Sequence, residues 1–211
     1  MNVSRYRTLR LAWGVGTALA ASLAAADPAA QIFESRAPSA GVLVIEGGSN
    51  VKDWDVRGED IRGRIEIAAA TSSASLRERF AASPLRVEVR IPVASLSGGS
   101  RGMDRRMQEA LLAEAHPSIG FVLTALRPDT GATPERAPRF LAEGELTIAG
   151  ETRTIRMPVV IIEEANAVRI EGEAALRMTD FGIDPPRALL GALRTDDDVT
   201  VRFTWTPAAG R

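Results

Sequence analysis

The sequence predicts a mainly β protein, an antiparallel sheet that closes around an interior, with one amphipathic helix between strands lying across an end of it. Three observations predict it. Ile61, Gly63, Ile65 and Ile67 alternate with Arg62, Arg64 and Glu66, and Leu85, Val87, Val89 and Ile91 alternate with Arg86, Glu88 and Arg90. This is the period-two signature of strands with one face in water. A helical pattern at 101–115 ends at His116-Pro117 and leads directly into Ile119-Gly120-Phe121-Val122-Leu123. Small residues also recur at strand positions whose neighbours in phase are large and apolar.

The chain opens on Arg5, Arg7 and Arg10, followed by an uncharged run from Leu11 to Ala26 that ends in Ala24-Ala25-Ala26. This is the pattern of a cleaved signal peptide over residues 1–26. The run is broken by Gly14, Gly16, Thr17 and Ser22 and is shorter than the roughly 20 apolar residues a membrane anchor needs. Export, with the periplasm as destination, is the expectation. With no cysteine, the chain carries neither a disulfide nor a lipid-modified cysteine. Removal of 1–26 takes three arginines and no acid from a chain of net charge −1, leaving −4 on 185 residues. A mildly acidic chain lacks the concentrated basic face that nucleic acid requires, so nucleic acid is not an expected partner. That length suits one domain.

Residues 27–41 mix Ala, Pro and Ser without a period and read as a flexible leader; the domain is expected over 42–207. Val42–Glu46 and Ser49–Val56 read as strands separated by Gly47-Gly48 as a bulge or tight turn. Strands at 61–67 and 85–91 flank a segment, Leu76–Ala82, that reads as a helical turn or loop. In the helix at 101–115, Met103, Met107, Ala110, Leu111 and Glu114 fall at helical spacings with Arg105, Arg106 and Glu109 around the opposite side. Pro117 ends it, because a residue before proline is biased out of the helical region. Strands follow at about 119–127, 139–149, 152–162, 167–178 and 198–206, with Gly150-Glu151 marking a hairpin and 127–139 a surface loop.

Side-chain direction supplies the functional clue. If Phe140, Leu146 and Ile148 face inward, period two places Ala142 and Gly144 inward as well; the same parity sets Gly172 and Ala174 beside Val168, Ile170 and Leu176. Either these short side chains leave an elongated apolar hollow, or they mark a bulge or the close approach of another element.

Several segments together carry a family resemblance: Gly48-Ser49-Asn50-Val51-Lys52-Asp53-Trp54, Ile91-Pro92-Val93-Ala94-Ser95-Leu96, Met103-Asp104 with Leu111-Leu112, and His116-Pro117-Ser118-Ile119-Gly120-Phe121. Gly144-Glu145-Leu146-Thr147-Ile148-Ala149-Gly150-Glu151-Thr152-Arg153 and Thr179-Asp180-Phe181-Gly182-Ile183 complete the set. In this order and spacing, over roughly Val42 to Thr206, the chain resembles the YceI-like proteins, bacterial lipocalin-like polyisoprenoid-binding proteins. The resemblance implies a lipocalin-like extended eight-stranded antiparallel β-barrel with a lid-like helix and a lipid chain along its interior. It implies an isoprenoid lipid or a quinone with an isoprenoid tail as ligand, export, transient membrane contact and, as in some members, a homodimer. The chain departs from the family where an arginine often precedes the small-Asp-Phe-Gly segment, here Met178, and where an aromatic often precedes the proline, here His116.

The apolar residues expected to line such a cavity are Trp54, Met103, Met107, Phe121, Leu123, Leu146, Ile148, Ile170, Phe181, Val201 and Phe203; each is equally readable as ordinary core. Burying about 500 Å² of a lipid chain contributes roughly 12 kcal/mol gross, before the losses of ordering it. Residues 97–117 are expected to gate the mouth, with Ser97-Gly98-Gly99-Ser100 as hinge and the two methionines adapting to the chain.

Catalysis is not expected, and no cofactor or metal is called for. His116 is the only histidine and, without cysteine, no zinc set can be completed. No G-x-S-x-G elbow accompanies the serines, and Asp180-Phe181-Gly182 lacks every other kinase segment. Asp196-Asp197-Asp198 and the Asp53/Asp55 pair have no EF-hand spacing and read as turn acids. Ser97-Gly98-Gly99-Ser100 has no following G-K-[ST] and cradles no nucleotide. The expected function is thus an exported, non-enzymatic carrier or sequestering protein for an isoprenoid-type lipid. The alternative is a solid-packed structural or interaction module of the envelope, linked to stress.

Overall fold

The computed structural model describes residues 31–35, 40–67, 76–82, 85–129, 139–188 and 193–210. The expected signal peptide and the interior of the loop at 127–139 lie outside them. Strand β1 spans Gln31–Ser35, β2 Gly41–Ser49, β3 Trp54–Gly58, β4 Arg62–Ile67, and helix α1 Leu76–Ala82. Then come β5 (Leu85–Pro92), β6 (Leu96–Ser97), α2 (Arg101–Ala110), β7 (Ser118–Pro128), β8 (Arg139–Ile148) and β9 (Glu151–Glu164). The chain closes with β10 (Ala167–Arg177), β11 (Arg187–Ala188), β12 (Leu193–Trp205) and β13 (Ala208–Ala209).

Two breaks in the strands hide a simple topology. β3 and β4 run as one interrupted strand against β5 and β6, with Gly58 opposite Leu96 and Arg62 opposite Arg90. Counting each pair as one strand, neighbours run β2, β3/β4, β5/β6, β7, β8, β9, β10, β12 and back to β2, a closed eight-stranded antiparallel barrel. Closure removes free edges except where β9 and β10 part. At the end away from α2, β1 pairs with β4 on one side and β13 on the other, and β13 reaches β10. That end is filled by Phe33, Ile65, Ile67, Phe140, Val168 and Trp205, all buried. Trp205 Nε1 donates to Ser35 Oγ at 2.8 Å and Ser35 Oγ donates to the Ile61 carbonyl at 2.9 Å, so the polar atoms of this plug are paired.

The wall has one seam. The β9–β10 ladder runs from Glu164–Ala167 to Val159–Gly172 and stops, so toward α2 the two strands part. The cleft between them, about 530 Å³, is bordered by Arg153, Ile155, Ala174, Leu176 and Phe181 among others.

Local structure corrects the sequence reading in three places and decides it in a fourth. Gly47 and Gly48 lie within β2, where its ladder with β12 shifts register between Gly47 and Ser49 as a bulge would, and the turn falls after Ser49, whose Oγ accepts from Lys52 N at 3.1 Å and donates to the Lys52 carbonyl at 2.7 Å. Gly47 is small because the Trp54 indole, directly across the ladder, occupies the place of its side chain. Gln31–Ser35, expected within a leader, form β1, held by β4 and β13 rather than by any periodicity of their own. Leu76–Ala82, read as a helical turn or loop, is helical over those same seven residues. Helix α2 ends at Ala110 rather than Ala115, because Leu112 turns left-handed (φ 52°) and the His116 N–H closes back on the Leu112 carbonyl at 2.8 Å.

Candidate functional site

Beneath α2 the barrel is open. An outer cavity of about 440 Å³ is walled by Ile45, Trp54, Val56, Met103, Met107, Phe181 and Val201 among others. An inner cavity of about 130 Å³ has an entirely apolar wall that includes Leu43, Phe121, Leu146, Met157, Ala174 and Phe203. Ile45, Ile119, Ile148, Leu176 and Val201 belong to both walls, so the two lie end to end along the barrel. The larger falls in the size range of ligand sites.

Period two builds the wall. In β12, Val199, Val201, Phe203 and Trp205 alternate with the outward pairs of Arg202, which bonds Glu173 at 2.7 Å and also Glu46. In β8, Phe140, Ala142, Gly144 and Leu146 are buried while Leu141 and Glu145 are exposed. Leu176 carries the same parity along β10.

Helix α2 roofs the outer cavity with Met103, Met107 and Ala110, joined by its C-cap Leu111, and none of the helix residues is fully buried. Ser100 caps it, its Oγ accepting from Met103 N at 3.3 Å. Asp104 fastens the helix to its linker: its carboxylate accepts from Gly98 N at 2.6 Å and from Ser97 Oγ at 3.3 Å. Met103 lies against Gly98, its Sδ 2.6 Å from where a Cβ would stand. The expected hinge is therefore latched in this structure.

Phe181 enters the cavity from a single 3₁₀ turn, Met178–Phe181, that follows β10 and ends on Gly182 in the left-handed region (φ 68°). Asp197 on β12 anchors this turn, accepting from Thr179 Oγ1 at 2.6 Å and Thr179 N at 2.8 Å. The Thr179 hydroxyl and then its N–H hold the Asp197 carboxyl below its usual pKa, with Arg177 adding to the effect. Asp197 is thus a structural tie. Among the described residues no group of three or more acids and histidines is placed to hold a metal ion.

The structure places nine of the eleven expected lining residues on the walls. Trp54, Met103, Met107 and Phe181 border the outer cavity, Phe121, Leu146 and Phe203 the inner one, and Ile148 and Val201 both. Leu123 and Ile170 lie on neither. Leu123 sits where β7 shifts register before Ala125, and it packs against the core there. Ile170 is opposite Trp205 and Ile161, within the packed end. Sequence reasoning passed over Ile45, Ile119 and Leu176 at the junction of the two cavities; strand parity was the signal available for each.

Of the two readings of the short residues, the two glycines follow the second, close approach. Phe121 Cε2 lies 2.6 Å from the Cβ position of Gly144, and Phe203 Cζ lies 2.5 Å from that of Gly172. Both glycines receive a neighbouring ring rather than leave a hollow. Only Ala174 of the four borders the inner cavity.

A family model for the YceI-like domain matches residues 41–206. The chain belongs to the YceI-like family. The crystal structure of Burkholderia cenocepacia BcnA is similar, with a TM-score of 0.59 at 16% identity over 79% of this chain and 94% of that one. So is a polyisoprenoid binding domain from Saccharophagus degradans, with a TM-score of 0.59 at 12% identity over 85% and 98% of the two chains. The Campylobacter jejuni YCEI protein aligns at a TM-score of 0.53 and 16% identity over 74% and 84%. At these identities the likeness is one of fold. No curated protein sequence matches the chain.

Both departures from the YceI-like pattern have a place in the structure. Met178 borders the outer cavity. His116 covers the β8–β9 hairpin turn, its Cε1 2.6 Å from the Cβ position of Gly150. That two-residue turn, Ala149-Gly150, has positive φ at both positions (49° and 86°), which suits the twist of paired strands. The rim of this YceI-like cavity is basic: Lys52, Arg106, Arg177 and Arg187 border it, and among the described residues no Asp or Glu does.

Proposed function

We propose that the protein binds an isoprenoid-type lipid, a polyisoprenoid or an isoprenoid quinone, and sequesters or carries it without chemical turnover in the periplasm. The observation that carries this reading is the apolar space continuing from beneath α2 into the barrel past Ile45, Ile148 and Val201. A flexible hydrocarbon tail gains free energy there by leaving water, at about 25 cal/mol per Å² buried, and needs no polar partner. Membership of a family whose fold includes a polyisoprenoid binding domain supports the same ligand class. Helix α2 serves as the lid: no residue of it is fully buried, and a few hydrogen bonds through Asp104 and Ser100 hold its root.

Titration of delipidated protein with isoprenoid alcohols of increasing length, followed by fluorescence of Trp54 in the wall, tests the proposal. Affinity rises with each isoprene unit until the cavity is full, then levels. A packed module gives no saturable binding at any length, and that result overturns the reading.

A further inference from the structure

We infer that the ligand's polar end is an anion, a phosphate or carboxylate, held at the cavity rim by Lys52, Arg106 and Arg187. This rests on the lipid-binding reading and adds the chemistry of the head group to it. The chain as a whole carries 27 acids against 26 bases, yet among the described residues the outer cavity is bordered by four bases and no acid. Such a bias at the one polar edge of an apolar cavity sets the sign of the group that rests there.

Three of the nearby acids are engaged elsewhere, while Asp53 and Asp196 lie beside Gly48. Asp104 holds Gly98 and Ser97, Asp197 holds Thr179, and Asp180 pairs with Arg177 at 2.9 Å. Arg177 is therefore already matched. Lys52, Arg106 and Arg187 form no ion pair with another described residue. They come from three different elements, the β2–β3 turn, α2 and β11, and all border the same cavity. Their aliphatic stems extend the apolar wall while their heads stay in water. Arginine forks match the paired oxygens of carboxylate and phosphate, which a neutral quinone ring or alcohol does not offer in the same form. Arg106 lies on the lid, so an anion bridging it to Lys52 or Arg187 also favours the closed helix.

The test compares geranylgeraniol, geranylgeranyl monophosphate and inorganic phosphate against the full chain and its Lys52→Gln/Arg106→Gln/Arg187→Gln variant. The monophosphate is expected to bind about tenfold more tightly than the alcohol, equivalent to about 1.4 kcal/mol. The preference shrinks with added salt. It falls to about twofold or less in the triple variant, whose circular dichroism and urea unfolding match those of the parent protein. Equal affinity for the two lipids, or a preference that survives in the variant, overturns this inference and leaves lipid binding standing. Displacement of the lipid phosphate by an equal concentration of inorganic phosphate also overturns it, since the rim is then a free-phosphate site. Binding of neither lipid overturns both this inference and the carrier reading.

Discussion

Phe203 stands directly across the β10–β12 ladder from Gly172, with its ring seated where a side chain on residue 172 would be. Phe121 relates to Gly144 in the same way, one step diagonally along β7 and β8. The two rings line the inner cavity because the glycines let them lie flat against the wall. Introduction of a methyl group by Gly172→Ala is expected to cost about 1–3 kcal/mol, the range for overpacking a fitted site. Urea unfolding measures it, and Phe203→Ala in the same background recovers part of the loss.

The waist between the cavities is the natural place to separate folding from binding. Val201 borders both cavities and is only partly buried, so Val201→Phe places new atoms in open space rather than in packed core. The variant keeps its fold by circular dichroism. Its affinity for long isoprenoid alcohols falls by about tenfold, while short ones that reach only the outer cavity change little. An equal loss for long and short ligands contradicts the end-to-end arrangement.

Asp104 links the root of α2 to the strand side through Gly98 N and Ser97 Oγ. Replacement by alanine removes those bonds and is expected to cost about 1–2 kcal/mol. Ligand release is faster in the variant, as stopped-flow transfer to acceptor vesicles reports. Loss of stability with unchanged release separates the helix root from gating.

Acid acts on the turn that carries Phe181. The folded-state pKa of Asp197 is lowered from 3.8, first by the Thr179 hydroxyl. Its contribution is therefore fully present above the unfolded value, near pH 4, and is lost as pH falls through the folded one. Asp197→Asn is less stable than the parent at neutral pH, and the gap closes on acidification below about pH 4. A gap constant across that window contradicts the tie.

Much of the barrel was legible in the sequence because an aqueous face and an apolar face on one strand leave a period of two. The strands at 62–67, 85–92, 118–128 and 139–148 stand where that alternation predicts them. β1 was not legible: Gln31–Ser35 owe their conformation to pairing with β4 and β13, which no local pattern encodes. The turn after Ser49 was misplaced because Gly47-Gly48 is a stronger turn signal than Ser49-Asn50, and the demand of the Trp54 ring for space is a tertiary fact. Parity found wall residues of β8 and β12, but on β10 it led to Ile170 in the packed end, and it could not tell a glycine that leaves space from one that admits a ring. The basic rim was equally hidden, since Lys52, Arg106 and Arg187 are more than fifty positions apart in the chain.

The most direct measurement is native mass spectrometry of the purified, undelipidated protein, with organic extraction of whatever it carries. Occupation of the space beneath α2 predicts an added mass that extraction identifies as a lipid with an isoprenoid tail, and whose removal leaves a folded protein able to take up the same molecule again. A protein that flies without added mass and ignores isoprenoid alcohols and quinones supplied to it contradicts the account.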